Sequence, residues 1–407
     1  MPETQSRSVD ATPDPAPPDR EPVTTAGVAA DAVVEALDVS VFTVPTDAPE
    51  GDGTLTWGST TMVLVQARSG GVIGTGWTYG PPACAHVVHD QLAEVVLGTD
   101  VLDVGAAFDA MVKAVRNAGR VGAVGYAISA VDVALWDLKA RLLGLPLHRL
   151  LGAVRHEVAV YGSGGFTTYD PRQLDDQLHA WLLQQIPRVK IKIGESWGTE
   201  PRRDLSRIAQ ARSVIGSEVE LFVDANGGYG RKQAVRVMDL AAECDVRWFE
   251  EPVSSDDLAG LRSVRDAVRP DVAAGEYGGD LTYFARMCGA GAVDCLQADA
   301  SRCGGITEWL RVAAVAAAHH LEISGHCAPH LHAHVAAATP NFRHLEWFHD
   351  HVRIERMFFD GTLDPTGGTL CPDPTAPGHG LTLLTDVAGR YQVGQTLRRH
   401  VSDRSGS

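Results

Sequence analysis

The segment VELFVDANGGYGRKQAVRVMDLAAECDVRWFEEP, residues 219–252, contains the pattern that decides the fold. An apolar strand-like run ends in Asp224, an amphipathic helical segment follows, and a second apolar run ends in Glu250. The interval from Asp224 to Glu250 is 26 residues (250 − 224), and the interval from Glu250 to Glu276 is again 26 (276 − 250). One strand, one helix and their loops take about this length in an α/β barrel. The repeat therefore predicts parallel strands that carry ionisable residues at their carboxyl ends.

The same alternation of strand-like and amphipathic runs extends to both sides of this segment. Strand-like runs begin near residues 158, 188, 219, 246, 272, 294, 321 and 343. About eight β/α units in roughly 200 residues predict a closed parallel barrel of the α/β class, whose active site lies at the carboxyl ends of the strands.

Four regions of the chain are distinguished by composition and periodicity. Residues 1–26 are rich in Pro, Asp, Thr and Ser and are expected to be a disordered tail. Residues 27–155 combine three strand-like runs with amphipathic helices and predict an α+β capping domain. Residues 156–360 form the barrel, and residues 361–407 are expected to pack back on the capping domain. A polar segment at 44–59 in the capping domain is predicted to be a long loop, either a lid over the barrel or an exposed hairpin connection.

Charge and composition limit the classes of partner. The net charge of −16 is spread along the 407 residues, which argues against nucleic acid and anionic membranes as partners. Seven scattered cysteines without a CxxC pair are typical of reduced thiols. The chain shows neither a long apolar run nor a signal-peptide pattern, so a cytoplasmic protein is expected.

Three carboxylates at the ends of consecutive strands predict a metal site. Asp224, Glu250 and Glu276 each follow apolar residues, and three clustered carboxylates repel one another unless a cation lies among them. Hard oxygen ligands without a neighbouring His or Cys favour Mg²⁺ over zinc. The alternative for any one of them is an ion pair at the barrel rim.

Two further groups at strand ends predict acid–base chemistry. Lys190 and Lys192 in VKIKI lie on one face of a strand, where two adjacent ammonium groups are expected to lower each other's pKa, as a general base requires. Asp299 and His326 end two neighbouring strands, so the carboxylate is expected to orient the imidazole as a second base. Glu346 ends the last strand, as either a substrate-contacting or a structural residue.

At these residues the sequence resembles the mandelate racemase subgroup of the enolase superfamily. The resemblance runs from the first strand of the capping domain to Glu346, and its motifs are KIK (190–192), DAN (224–226), EEP (250–252), GE (275–276), DASRCGG from residue 299 and SGH ending at residue 326. It implies a modified TIM barrel, (β/α)7β, behind an α+β capping domain, and a homo-oligomer. It also implies removal of the proton α to a carboxylate, giving an enediolate stabilised by Mg²⁺.

The resemblance also assigns roles to residues of this chain. Lys192 would be one base, with its pKa tuned by Lys190, and His326, polarised by Asp299, would act on the opposite face. Asp224, Glu250 and Glu276 would hold Mg²⁺, and Asn226 and Glu346 would contact a small carboxylate substrate. Specificity is expected to depend on the 44–59 segment, which includes Trp57, and on strand-end residues such as Ser163 and Tyr277.

Two bases permit more than one reaction. Proton removal followed by loss of a β-hydroxyl would dehydrate an aldonate or aldarate to a 2-keto-3-deoxy acid, and this lyase reaction is the one favoured. A racemase or epimerase of a 2-hydroxy acid would use the same bases. Two remote alternatives are a non-catalytic metal-binding barrel and a zinc metallohydrolase that uses His330 and His334, with His332 between them in HCAPHLHAH.

Overall fold

The computed structural model describes residues 32–402. The predicted tail, residues 1–26, lies outside the described residues. The strands are β1 (Ala36–Gly51), β2 (Thr56–Ser69), β3 (Val72–Tyr79), β4 (Val158–Gly164), β5 (Arg188–Lys192), β6 (Glu220–Asp224), β7 (Val246–Glu250), β8 (Asp271–Ala274), β9 (Cys295–Ala298), β10 (Glu322–Gly325), β11 (Phe342–Phe348), β12 (Phe359–Asp360), β13 (Thr369–Leu370), β14 (Thr382–Leu383) and β15 (Leu397–His400).

Helices alternate with the strands of the second half of the chain. They are α1 (Ala83–Val87), α2 (Ala93–Val96), α3 (Val104–Ala114), α4 (Ala123–Leu142), α5 (Leu147–Leu150), α6 (Pro171–Leu183), α7 (Glu195–Gly198), α8 (Pro201–Ile215), α9 (Arg231–Leu240), α10 (Leu258–Arg265), α11 (Leu281–Gly289), α12 (Gly305–Ala318), α13 (Pro329–Ala337), α14 (His349–Phe358) and α15 (Thr385–Ala388). A π-helical turn, Val88–Leu92, joins α1 to α2.

Strands β4 to β11 form the predicted closed barrel. They pair in chain order, and β11 pairs in parallel with β4 to close the cylinder. The barrel interior is filled by a cluster of buried side chains from alternate positions of the strands, namely Tyr161, Phe222, Trp248, Ala273 and Cys295. Outward-facing residues of the same strands, such as Val189 and Ile191, pack in the larger core with the surrounding helices. The α/β barrel with an N-terminal sheet domain is thus confirmed.

The capping domain is an antiparallel sheet in the order β15-β1-β2-β3, with α4 packed against β3. Gly74 and Gly76 allow this close approach, because a Cβ atom at either residue would lie 2.3 Å from a backbone oxygen of α4. Residues after 360 contact both parts of the chain, since β15 pairs with β1 whereas β13 pairs with the barrel strand β4. The segment after residue 360 therefore packs on the capping domain, as expected, only in part.

The predicted long loop at 44–59 is wrong in most of its length. β1 and β2 continue as a paired hairpin through Glu50↔Trp57 and Gly51↔Thr56, which leaves a turn at residues 52–55. The Asp52 carboxylate accepts hydrogen bonds from the backbone N–H groups of Thr54 and Leu55 and so holds that turn. Two prolines in this segment argued against a strand. The β1–β2 ladder accommodates them because its register shifts between Pro45 and Glu50.

Within residues 32–402, no helix is long and apolar enough to cross a membrane. The seven cysteines, all inside this range, are unpaired.

Candidate active site

The three predicted metal ligands meet at the carboxyl ends of consecutive barrel strands. Asp224 ends β6, Glu250 ends β7, and Glu276 follows the end of β8. All three are buried, and a carboxylate oxygen from each lies within 4.8 Å of the other two. Oε2 of Glu276 is buried without a hydrogen bond, although Nε2 of His326 lies 3.3 Å from it.

The electrostatics of this cluster fit a divalent cation. Burial and the charge of Asp224 raise the pKa of Glu250 to about 8. Burial also acts to raise the pKa of Asp224, but the Lys192 and Lys190 ammonium groups outweigh it and hold that pKa below its usual value. Three oxygen donors of this type, one without a hydrogen-bond partner, match the ligand preference of Mg²⁺.

Both lysines of β5 face the interior of the barrel. The strand register places Lys192 beside Asp224 and Asp224 beside Glu250, in one row across β5, β6 and β7. Nζ of Lys192 lies 2.5 Å from Oδ2 of Asp224. Nζ of Lys190, one layer deeper, lies 2.5 Å from Oε1 of Glu250 and 2.8 Å from Oε1 of Glu346.

The expected mutual lowering of the lysine pKa values is wrong for this arrangement. Burial and the Lys190 charge do act to lower the pKa of Lys192, but the carboxylates of Asp224, Glu276 and Glu250 outweigh them and raise it. The pKa of Lys190 is likewise raised, because Glu250, Glu346 and Asp224 outweigh its burial. Two adjacent cations do lower each other's pKa, but carboxylates from neighbouring strands face both lysines and reverse the effect.

Asp299 and His326 are hydrogen-bonded across β9 and β10. Nδ1 of His326 lies 2.8 Å from Oδ2 of Asp299, which leaves Nε2 directed toward Glu276 and Glu346. Burial and the Arg302 charge act to lower the pKa of His326, but Glu276, Glu346 and the hydrogen bond to Asp299 outweigh them and raise it. The imidazole is thus held ready to carry a proton on Nε2.

Glu346 connects the lysine side of the site to the histidine side. Its Oε1 contacts Lys190 and accepts a hydrogen bond of 2.6 Å from Ser163, and its Oε2 accepts one from the backbone N–H of Cys327. Ser163 itself is fully buried and is not among the residues that line the cavity. The expected substrate contact of Ser163 is therefore replaced by a hydrogen bond that holds Glu346.

A cavity of about 420 Å³ opens above these groups, between the barrel and the β1–β2 hairpin. Among its lining residues are Asp52, Trp57, Ser59, Lys192, Asn226, Glu276, Tyr277, Arg302, His326, Cys327, Glu346 and His351. Oδ1 of Asn226 is buried without a hydrogen bond, so it is free to accept one from a ligand. The Trp57 indole lies on the wall and donates a hydrogen bond to Glu50.

The cavity lining also includes three residues without a predicted role, namely Arg302, Cys327 and His351. The Arg302 guanidinium lies 3.4 Å from Glu276 and 3.6 Å from Asp299, and its position three residues after Asp299 was the available signal. Sγ of Cys327 lies 3.2 Å from Nε2 of His326, as its place in the chain next to that residue suggests. No comparable signal marked His351, which comes from α14 and stacks on Tyr79.

The histidines of the zinc alternative do not form a metal site. Nδ1 of His330 accepts a hydrogen bond from the backbone of Leu363, and Nε2 of His332 accepts one from Ala300. His334 packs beside His148 in the core. Within residues 32–402, none of the three belongs to a cluster of potential metal ligands. Burial lowers the pKa of His330 to about 3, as expected of a neutral structural histidine.

Comparison with known proteins agrees with this site. Residues 36–152 match the N-terminal domain model of mandelate racemase and muconate lactonizing enzyme, and residues 173–387 match the enolase C-terminal domain-like model. The chain therefore belongs to the enolase superfamily, in its mandelate racemase group, and it is an enzyme of that family.

Three similar proteins illustrate the range of the family. L-talarate/galactarate dehydratase of Salmonella typhimurium is 30% identical over 346 residues, which are 81% of this chain and 86% of that protein. A mandelate racemase/muconate lactonizing enzyme-like protein from Rubrobacter xylanophilus is 51% identical, with a TM-score of 0.86 over 89% of this chain and 100% of that one. A racemase from Streptomyces coelicolor with bound magnesium is 28% identical, with a TM-score of 0.83 over 89% of this chain and 100% of that one. Magnesium is thus confirmed as the metal expected for this family.

Proposed function

We propose that this enzyme dehydrates a sugar acid, an aldonate or aldarate, to a 2-keto-3-deoxy acid. This proposal is supported by two side chains able to transfer protons that line the same cavity. Lys192 comes from β5 and His326 follows β10, and both line it. These strands are three steps apart around the barrel in one direction and five in the other, so the two groups approach a bound molecule from nearly opposite sides.

Lys192 is proposed to remove the α-proton. Its Nζ is buried at the base of the cavity and is held by Asp224, so its position relative to a bound substrate is fixed. When bound at Asp224, Glu250 and Glu276, Mg²⁺ supplies positive charge that competes with the ammonium for Asp224 and opposes the negative charge that develops on the substrate carboxylate.

His326 is proposed to act as the acid that completes dehydration. Lys192 reacts in its neutral amine form, which requires that metal charge offset the carboxylates that raise its pKa. The α C–H proton then passes to the Nζ lone pair, the electron pair left on carbon expels the β-hydroxyl oxygen, and Nε2 of His326 supplies the proton that converts it to water. The resulting enol then becomes the 2-keto-3-deoxy acid by tautomerisation. The Asp299 hydrogen bond at Nδ1 leaves the Nε2 proton on the cavity side, as this role requires.

The remaining predicted contacts serve binding. Asn226 offers a free amide oxygen and Trp57 an aromatic wall to a hydroxylated substrate. The relative named L-talarate/galactarate dehydratase supports a hydroxylated diacid as one candidate substrate class. By analogy with the family, a symmetric homo-oligomer is also proposed, and light scattering on the purified protein will measure its mass.

A screen of aldonates and aldarates in D₂O will test the reaction. A productive substrate is expected to yield 2-keto acid, detected as its semicarbazone, while NMR follows deuterium at the α-carbon. Loss of the α-proton signal without 2-keto acid from any member of the panel would contradict dehydration.

A racemase or epimerase is the second candidate, because the same two groups can return a proton to the opposite face of the α-carbon. The similarity to the Streptomyces coelicolor racemase supports it. Formation of the epimer without 2-keto acid in the same D₂O assay would identify this reaction.

A further inference from the structure

A second group of potential metal ligands lies outside the proposed active site, where the β1–β2 hairpin meets the start of α14. It comprises Asp47 and Glu50 of β1 and His349, the first residue of α14. One ligand atom from each lies within 4.8 Å of the other two, and Nε2 of His349 is 2.9 Å from Oδ2 of Asp47. The group therefore joins the capping domain to the barrel.

An irregularity in β1 makes this meeting possible. Residues three apart on a regular strand, such as Asp47 and Glu50, point to opposite faces. The pairing of β1 with β2 shifts register between Pro45 and Glu50, and a shift of this kind re-aims side chains. Both carboxylates consequently reach the same histidine.

The buried carboxylates at this group have oxygens without hydrogen-bond partners. Glu50 is fully buried, its Oε2 accepts a hydrogen bond from Trp57, and its Oε1 has no hydrogen-bond partner. Asp350 beside it is also fully buried, with Oδ1 paired to Arg353 and Oδ2 without a partner.

The charge balance of this region matches a divalent ion. Three carboxyl groups, Asp47, Glu50 and Asp350, face the guanidinium of Arg353, which gives −3 + 1 = −2 when all are ionised. A cavity of about 460 Å³ has Asp47 and His349 on its wall and provides a path of entry.

We propose that Asp47, Glu50 and His349 form a second metal site, for a transition-metal ion such as Zn²⁺, that fastens the hairpin to the barrel. Two carboxylate oxygens and one imidazole nitrogen are a ligand set that suits Zn²⁺ and disfavours Mg²⁺, which prefers oxygen alone. Trp57 donates to Glu50 and also lines the active-site cavity, so an ion here would fix one wall of that cavity. Metal binding at this second site does not depend on the reaction that the active site performs.

The test is a Co²⁺ titration of the whole protein in excess Mg²⁺, read by the visible absorption of Co²⁺ and by equilibrium dialysis. The wild type is expected to hold one more Co²⁺ than either Glu50→Gln or His349→Gln. Each variant should bind that ion at least about tenfold more weakly, a loss that even removal of an outer partner of a ligand can cause. Because the two variants lie on different elements, a folding defect in one leaves the other informative.

His179→Gln is the matched control, since His179 is exposed on α6 and its ring contacts only the backbone of Asp175 in the described contacts. This variant is expected to keep the extra ion. Equal Co²⁺ content in the wild type and in both site variants would overturn the proposal, and Glu50 would then be a neutral buried acid. Loss of the ion in His179→Gln as well would also overturn it.

Discussion

Nζ of Lys192 lies 2.5 Å from Oδ2 of Asp224, and both side chains are buried. The proposed base and one proposed metal ligand are thus held in a single ion pair, fixed by the register of β5 and β6. Any change to one partner alters the charge that the other faces, so proton transfer and metal binding are coupled in this site.

Replacement of Lys192 by Ala is expected to abolish α-deuterium exchange, with a loss of at least about 10²–10⁴-fold, the contribution typical of a general base. Mg²⁺ affinity should remain near that of the wild type or increase, because the ammonium that competes for Asp224 is gone. NMR in D₂O measures the exchange and calorimetry the metal affinity. Lys232→Ala, at an exposed lysine, is the control. Unchanged exchange in Lys192→Ala would exclude Lys192 as the base.

Replacement of His326 by Asn separates the two halves of the proposed reaction. The Lys192 side remains intact, so α-deuterium exchange should persist, whereas 2-keto acid formation should fall by about 10²–10⁴-fold because the proton for the leaving hydroxyl is missing. Exchange and product are measured in the same D₂O samples. Wild-type rates of keto acid formation in His326→Asn would show that another group is the acid.

Removal of divalent metal with a chelator is expected to eliminate activity, and added Mg²⁺ should restore it. Asp224, Glu250 and Glu276 are the proposed ligands of Mg²⁺, whose charge would oppose the negative charge that develops on the substrate carboxylate. Glu276→Gln should raise the Mg²⁺ concentration needed for half-maximal activity. Restoration by Zn²⁺ but not by Mg²⁺ would contradict the assignment of Mg²⁺ to these three carboxylates.

The barrel was predictable because its signal is local and repeated. Strands β5, β6 and β7 each end in an ionisable residue after apolar positions, and the 26-residue interval between Asp224, Glu250 and Glu276 repeats a strand–helix unit. The contact of Asp299 with His326 followed from the order of neighbouring strands in a parallel barrel. These features depend on periodicity and chain order, which a sequence displays directly.

Features that depend on tertiary contacts were not predictable in the same way. The raised pKa of Lys192 depends on carboxylates from three other strands, and the burial of Ser163 under Glu346 depends on the closure of β11 onto β4. The β1–β2 hairpin continues through two prolines because a register shift accommodates them, and no local sequence pattern predicts that shift. Asp47, Glu50 and His349 meet only because the capping domain lies against the barrel.

The contact between α4 of the capping domain and α12 of the barrel contains a buried carboxyl group. Asp132 of α4 is fully buried and accepts hydrogen bonds from the backbone N–H and the hydroxyl of Thr307. Burial raises the pKa of Asp132 to about 7, although the Thr307 hydrogen bonds act to lower it. The carboxyl group therefore binds its proton more tightly in the folded protein than in the unfolded chain, where its pKa is about 3.9.

The sign of the pH dependence follows from this difference. Between pH about 4 and 7 the folded state holds more protons at Asp132 than the unfolded state, so its contribution to the free energy of unfolding falls as the pH rises, by at most about 1.4 kcal/mol per pH unit. The contribution is complete below the unfolded pKa, and above pH 7 no more is lost. Asp132→Asn does not titrate, so its stability relative to wild type should increase from pH 5 to pH 8 in urea unfolding. A constant difference between Asp132→Asn and wild type across this pH range would contradict the raised pKa of Asp132.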